Sequence, residues 1–403
     1  MPEKNNIAPI IDGNFTNLDF ISTKQLSKPT IDILFEEVDS MREIYYHQKG
    51  IDLLPHYQID IKFDEPSTRT LKSFVAAAQR LGASVLYTPD KEFSSVSKGE
   101  SWDDDILANA QYADATVMRH PQTGKVGEAA NLSPVPVLNG GDGIGEHPSQ
   151  AGLDLYTIRQ KLGGVKGKTI TAVGDLFHGR TVKSLADIAA TESEGDLRIN
   201  FVAPEDMQMS QEVITDLRGR GVDVQLFDEI EEPLRDTDAL YVVRMQRERF
   251  GTQEDASIGE DTLAKIKKIL QFGSEQHKRL MTPGFVDTVT AMSRELDLLD
   301  EHSDSYKKLY ADFIGLRYAI PDVKVIQTNT SPTDNPYVIT PELLRFAKEK
   351  MILMHPFPRV GEIDIRCDSD PRAVYLTDQM KNGMFVRMAL LARIMGKTTL
   401  AAA

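Results

Sequence analysis

The sequence predicts an α/β protein with two doubly wound parallel-sheet domains, and three observations carry that prediction. Short apolar segments alternate with amphipathic helical ones: HYQIDIKF, DATVMR and VPVLN in the first half, then KTITAV, INFVAP, VDVQLF, ALYVVRMQ and MILMHPFPR in the second. Strands alternating with helices form parallel sheets covered on both faces. The polar, glycine-rich and arginine-bearing clusters follow the strands, where such sheets bind ligands. Finally, 403 residues with 41% hydrophobic content suffice for two substantial cores.

Residues 1 to about 15 read as a polar extension. The next segment, ISTKQLSKPTIDILFEEVDSMREIYY, sets Ile31, Leu34, Phe35, Val38 and Met41 at helical spacing. After the first strand comes FDEPSTRT, followed by LKSFVAAAQRLG with apolar residues at Leu71, Phe74, Val75, Ala78 and Leu81 and a stop at Gly82. Ser67, Thr68, Arg69 and Thr70 therefore open a helix. Its first turn offers unpaired N–H groups and the positive end of a dipole, and three hydroxyls and a guanidinium complete the outline of an anion site. An ordinary N-cap accounts for the same residues.

RHPQTG places Arg119 and His120 at the next strand end. GGDGIG fails the dinucleotide spacing and reads as a glycine-rich turn. In EHPSQ, His147 caps a helix, Pro148 lies in its first turn and Gln150 one turn on, so both polar side chains can leave the strand end together. A lone histidine at a cap is more often structural than catalytic, and the same objection meets Arg119 and His120. The helix SQAGLDLYTIRQKLGG stops at Gly163 and Gly164, and the domain boundary is expected there.

GDLFHGRT has the spacing of a phosphate-binding loop, but Arg180 stands where lysine belongs. Arginine is a planar fork suited to a carboxylate, and no acidic magnesium motif follows, which argues against a nucleotide triphosphatase. Arg244 and Gln246 in VVRMQRERF share a face if that strand continues. In MHPFPRVGEI, Pro356 and Pro358 flank Phe357, where an X-Pro bond can be cis. Residues 251–335 break the rhythm with a long, charged, mostly helical pattern and read as an insertion.

A net charge of -15 makes nucleic acid and anionic membrane surfaces poor partners, so an anionic substrate needs a local cluster of cations. Four strand-end arginines, two histidines and a hydroxyl-rich helix start suggest two anions held side by side. Cys367 is the single cysteine, which excludes an internal disulfide framework and a thiolate metal cluster and suits a reducing compartment. No metal-ligand motif is present, no apolar run approaches the roughly 18 residues of a membrane span, and MPEKNNIAPIIDGN does not resemble a signal peptide. A cytoplasmic protein is expected.

In order, FDEPSTRT, SVSKGES, MRHPQTG, GDGIGEHPSQAGLDLYTI, GDLFHGRTVKSLA, VVRMQRERF and HPFPRVGEI resemble the aspartate carbamoyltransferase catalytic chain over roughly residues 17–250 and 336–397. The resemblance implies transfer of the carbamoyl group of carbamoyl phosphate to the amino group of L-aspartate, with no metal or organic cofactor. It implies a carbamoyl-phosphate domain at 1–162, an aspartate domain at 163–379 that includes the insertion, and a C-terminal helix, 380–397, returning to the first. Ser67, Thr68, Arg69 and Thr70 would hold the phosphate with Arg119 beside them. Thr70, Arg119 and His147 would donate to the carbamoyl oxygen, and Gln150 would contact the carbamoyl nitrogen.

Arg180 would take the α-carboxylate of aspartate, and Arg244 with Gln246 its side-chain carboxylate. Phe357 and Pro358, joined by a cis bond, would line the site. Ser94 and Lys98 would reach in from a neighbouring subunit, which implies a homotrimer with shared sites; a regulatory chain is compatible with the resemblance but not required by it. Glu65, Glu248 and Arg249 fall at supporting or domain-closure positions. Three departures stand out: Leu71 replaces a usual arginine, Phe357 a usual leucine, and Arg244 and His355 are 111 positions apart because of the insertion. Two other readings remain: a carbamoyltransferase with another acceptor such as ornithine, which Arg244 and Gln246 disfavour, and a non-catalytic scaffold, which the retained polar set disfavours.

Overall fold

Every pairing between neighbouring strands in the computed structural model is parallel, as the alternation of elements requires. The structure describes residues 9–87, 98–244 and 336–400, which belong to one compact unit. Strands β1 (Gln58–Phe63), β2 (Ser84–Tyr87), β3 (Ala115–His120) and β4 (Val137–Asp142) form a first sheet in the order β2-β1-β3-β4. Strands β5 (Lys168–Val173), β6 (Leu197–Val202), β7 (Asp223–Phe227), β8 (Ala239–Val242) and β9 (Ile352–Met354) form a second in the order β7-β6-β5-β8-β9. All six residues of β3 and all four of β8 are buried, as expected for central strands with both faces covered.

The helices are α1 (Lys28–Gln48), α2 (Thr68–Arg80), α3 (Trp102–Ala110), α4 (Lys125–Leu132), α5 (Pro148–Leu162), α6 (Arg180–Ser193), α7 (Gln211–Gly219), α8 (Glu231–Leu234), α9 (Pro341–Leu344) and α10 (Asp378–Ile394). The five positions expected to form the apolar face of α1 are all buried. Helix α2 begins at Thr68 as its sequence requires, although Leu71 and Val75 are only half-buried while Ala77 is fully covered. Helix α5 ends where Gly163 adopts a left-handed φ of 79°. No described helix is long and apolar enough to cross a membrane.

Three expectations need correction. Ile11 and Phe15 are almost fully buried, and Ile11 pairs with Leu26, so the end of the supposed polar extension belongs to the core. Strand β2 was not expected; at four residues, with partly exposed positions along a sheet edge, SVLY carries little hydrophobic signal. Strand β8 ends at Val242, so Arg244 lies beyond it instead of on a continuing strand. The expected insertion at 251–335 lies outside the described residues.

Helix α10 is buried over most of its length and packs against α1, α2 and α5, the helices that flank the first sheet. Phe385, Val386, Met388, Leu390 and Leu391 are buried there, and the Arg387 guanidinium is buried with them. Arg387 Nη1 donates to Ser73 Oγ on α2 at 2.8 Å, and the guanidinium carbon stands 4.9 Å from the Phe74 ring centroid. A cation is tolerated there because it has a polar partner and an aromatic face.

Each sheet has one place where the strand order reverses, between β1 and β3 in the first and between β5 and β8 in the second. Crevices form outside the carboxyl ends of the strands at such points. FDEPSTRT follows β1, Arg119 lies near the end of β3, GDLFHGR follows β5 and Arg244 follows β8. The topology thus selects the same segments that the sequence does.

The packing of α10 generates a stability prediction. Leu390 is 0% exposed, and Leu390→Ala is expected to cost about 2–5 kcal/mol, seen as a lower urea midpoint with an unchanged m-value. A loss below about 0.5 kcal/mol would contradict the role given to this helix.

Candidate active site

The site forms around Arg119, the fifth residue of β3. Met118 pairs with Asn139 and His120 with Asp142, so the register shifts at Arg119 and two glycines of β4 face one residue of β3. A bulge of this kind re-aims a side chain. Gly141 has φ 132°, and a Cβ there would stand 2.6 Å from Arg119 Nη1. Only glycine fits that position without displacing the guanidinium.

Arg119 Nη1 donates to Gly140 O at 3.1 Å, while Nη2 lies 2.8 Å from Glu65 Oε2. Arg180, the first residue of α6, donates to Gly143 O at 2.5 Å and to the same Glu65 oxygen at 3.2 Å. The glycine-rich turn therefore gives one carbonyl to each arginine. The two guanidiniums, one from each sheet's switch point, converge on one carboxylate oxygen. Burial, and after it the Arg180 charge, lowers Arg119 to about 10, which leaves it fully cationic near neutral pH.

Helix α2 presents its N-terminus beside this pair. Ser67 occupies the N-cap position, yet its hydroxyl makes no capping hydrogen bond, so the simple capping explanation does not account for it. Thr70 Oγ1 lies 3.5 Å from His147 Nε2, and both residues are buried. His147 stands at the N-cap of α5 ahead of Pro148, as expected, and its backbone N–H donates to Ser184 Oγ at 3.2 Å. Burial, then the charges of Arg119, Arg180 and Arg387, hold the imidazole well below its ordinary pKa of 6.5. Its Nδ1 is buried without a hydrogen-bond partner.

Gln150 lies one turn into α5 and is 9% exposed. Its Nε2 donates to Asp154 at 3.0 Å and 3.2 Å, and Asp154 also accepts from Tyr241 Oη at 2.7 Å and Gln379 Nε2 at 2.7 Å. Gln379 Oε1 in turn accepts from the His355 backbone N–H at 2.9 Å. His355 begins the turn that carries Phe357 and Pro358; their peptide bond is cis, and Phe357 N donates to His355 Nδ1 at 2.8 Å. The other ring nitrogen of His355 meets Glu362 at 2.5 Å. The Arg69 guanidinium carbon stands 5.5 Å from the Phe357 ring centroid, so the start of α2 meets this turn directly.

The expected residues Arg69, Thr70, Arg119, His147 and Arg180 are joined to one another or to the turn at Phe357 by these contacts. Lys98 is exposed and takes no part in them, Pro358 is exposed at the far end of its turn, and Arg244 follows β8 by two residues. Ser94, Gln246, Glu248 and Arg249 lie outside the described residues. The sequence did not single out Gly140, Gly141, Asp154, Tyr241 or Gln379. Of these, only the Gln150 and Asp154 pair carried a local signal, since side chains four apart on a helix face each other.

Residues 18–160 match the model of the aspartate/ornithine carbamoyltransferase carbamoyl-P binding domain, and residues 323–394 that of the Asp/Orn binding domain. Over 387 residues the chain is 37% identical to the multifunctional protein pyr1-3 of Dictyostelium discoideum, covering 96% of this chain and 14% of that much longer one. It is 34% identical to a chloroplastic aspartate carbamoyltransferase of Arabidopsis thaliana, over 93% of this chain and 76% of the relative. The crystal structure of aspartate transcarbamoylase from Trypanosoma cruzi in complex with carbamoyl phosphate superposes with a TM-score of 0.70 at 31% identity, covering 95% and 97% of the two chains. With two parallel sheets, both domain matches and relatives similar over nearly its full length, the chain belongs to the aspartate carbamoyltransferase family.

Proposed function

We propose that the chain transfers the carbamoyl group of carbamoyl phosphate to the amino group of L-aspartate, giving N-carbamoyl-L-aspartate and phosphate. The observation that carries this reading is the meeting of Arg119 and Arg180, brought from two switch points, on the single oxygen Glu65 Oε2 at 2.8 Å and 3.2 Å. Two anionic groups of a reacting pair need such neighbouring cations. In this reading residues 1–162 hold carbamoyl phosphate and residues 163–379 hold aspartate.

The phosphate group sits at the N-terminus of α2, held by Ser67, Thr68, Arg69 and Thr70 with Arg119 alongside. Thr70, Arg119 and His147 donate to the carbamoyl oxygen as it gains negative charge during attack by the amine. Removing one such donor typically lowers turnover by about 100 to 1,000-fold. A neutral His147 suits this role, because it offers an N–H without adding a third full charge. The departing phosphate takes the proton that the amine loses, so no protein base is required.

Arg180 binds the α-carboxylate and Arg244, with Gln246, the side-chain carboxylate; two forks at a fixed separation then select a dicarboxylate. Phe357 and Pro358 close the wall beside Arg69. Ser94 and Lys98 complete the site of a neighbouring subunit in a homotrimer, consistent with Lys98 standing outside the contacts of its own chain's group. Cys367 is free and buried, which is compatible with a cytoplasmic location.

The purified chain is expected to release phosphate from carbamoyl phosphate when L-aspartate is supplied and not with L-ornithine; silence with both in folded protein would favour a binding role. Arg180→Ala should raise the KM for aspartate by about 30-fold or more, the loss expected from unpairing one buried charge, while the KM for carbamoyl phosphate changes by a few fold. Equal effects on the two substrates would remove the assignment. Mixing Lys98→Ala chains with Arg119→Ala chains under exchange conditions should regain activity, because some hybrid trimers then hold an intact site; no recovery would argue against sharing.

His147 also predicts a pH effect on stability. Its folded-state pKa lies below the unfolded value of 6.5, so below pH 6.5 the unfolded chain binds a proton that the folded chain refuses. Stability is therefore complete above about pH 7 and falls as pH drops, by at most about 1.4 kcal/mol per unit for this group. His147→Gln should flatten that loss between pH 6.5 and 5.5 in urea titrations. His355, also held below its ordinary value, by burial, keeps its own share in the variant.

A further inference from the structure

Asp154 is 0% exposed and lies on α5 one turn beyond Gln150. All three of its side-chain neighbours present donors: Gln150 Nε2 at 3.0 Å and 3.2 Å, Gln379 Nε2 at 2.7 Å and Tyr241 Oη at 2.7 Å. A carboxylate is an acceptor on both oxygens and fits that ring of donors, whereas with the two amides as placed a carboxylic acid could donate only to Tyr241 Oη, the one neighbour that also accepts. Burial pushes the Asp154 carboxyl up to about 7, and the hydrogen bonds from Tyr241, Gln379 and Gln150 and the Arg387 charge act against it.

The consequence falls on Gln150. Its amide has two different ends, and a carboxylate beneath it accepts only from the NH2 end. Gln150 Oε1 is thereby left as the outward end, and no described residue donates to it. That end is an acceptor on the first turn of α5, three residues from His147, and a carbamoyl group differs from other acyl groups in carrying N–H donors. An acetyl group has a methyl in the same place.

We propose that Asp154 is a positioning residue that locks the Gln150 amide with its oxygen toward the substrate, and that this lock selects a carbamoyl phosphate over an acyl phosphate lacking N–H donors. The proposal rests on the carbamoyl-transfer reading above. A buried acceptor left facing a methyl loses its partner, while the same acceptor facing an NH2 keeps it, and sites built on such hydrogen bonds discriminate strongly. Tyr241 belongs to β8, and Gln379 holds the His355 backbone. The lock is therefore anchored by the second sheet and by the turn bearing Phe357.

The test compares carbamoyl phosphate with acetyl phosphate as donors to L-aspartate, following phosphate release in the wild-type chain and in Asp154→Asn. Asparagine keeps the shape but can donate to Gln150 Oε1, which lets the amide reverse. The ratio of kcat/KM values, carbamoyl over acetyl, should fall by about tenfold or more, with most of the loss on the carbamoyl side. A fall of equal size for both donors would mean a merely structural role and would overturn the proposal. Gln150→Met provides the second arm, should the asparagine variant fail to fold: it removes the acceptor and should lower the same ratio, and an unchanged ratio there is equally fatal.

The double variant should be no less discriminating than Gln150→Met alone, since both changes act through one amide; additive losses would show that Asp154 acts elsewhere. A wild-type chain inactive with both donors would sink the carbamoyl-transfer reading itself, an outcome separate from any change in the ratio.

Discussion

One oxygen of Glu65 lies between two guanidinium groups that would otherwise repel each other in a poorly solvated space. Without that carboxylate, bringing Arg119 against Arg180 would cost the fold both desolvation and like-charge energy. With it, positive charge is concentrated at one place in a chain of net charge -15. Glu65 follows β1, Arg119 lies near the end of β3 and Arg180 opens α6, so a single carboxylate ties both sheets to the same point. An anionic ligand entering this space exchanges one counter-ion for another, which costs less than creating a cationic pocket from nothing.

The surrounding backbone serves that arrangement. The β3–β4 register shift falls at Arg119, Gly140 and Gly143 lend their carbonyls, and Gly141 keeps the space that a side chain would fill. Behind this layer lies a second polar one, running from Gln150 through Asp154 to Tyr241 and Gln379, with Arg387 bonded to Ser73 at its edge. Buried polar groups rigidify only when their partners are present, and here most have them. His147 Nδ1, Arg119 Nε and Arg387 Nε are exceptions among the residues named here.

Much of this was legible in the sequence because parallel α/β folds write their periodicity plainly. Alternating elements gave the sheets, and the carboxyl-end rule gave the location of the arginines. STRT and EHPSQ were readable as helix starts because Ser, Thr and Pro have fixed preferences there. What escaped notice has physical reasons. SVLY is too short and too exposed to show a pattern, and the buried Ile11 and Phe15 are split by Asp12, Gly13 and Asn14, which leaves no regular period. GGDG looked like a plain turn because the contact that requires it comes from Arg119, more than twenty positions earlier. The partners of Asp154 come from β8 and α10, and such pairings leave no trace in local spacing.

Helix α10 also constrains the order in which this protein can be made. The faces of α1, α2 and α5 that it covers are synthesised more than two hundred residues earlier, since α5 ends at Leu162 and α10 begins at Asp378. On the ribosome, the first sheet therefore emerges with its helices lacking their apolar cover and without Arg387 beside Ser73. The nascent first half keeps those apolar faces uncovered until α10 has been made, and only then can this helix close over them and bring Arg387 to Ser73.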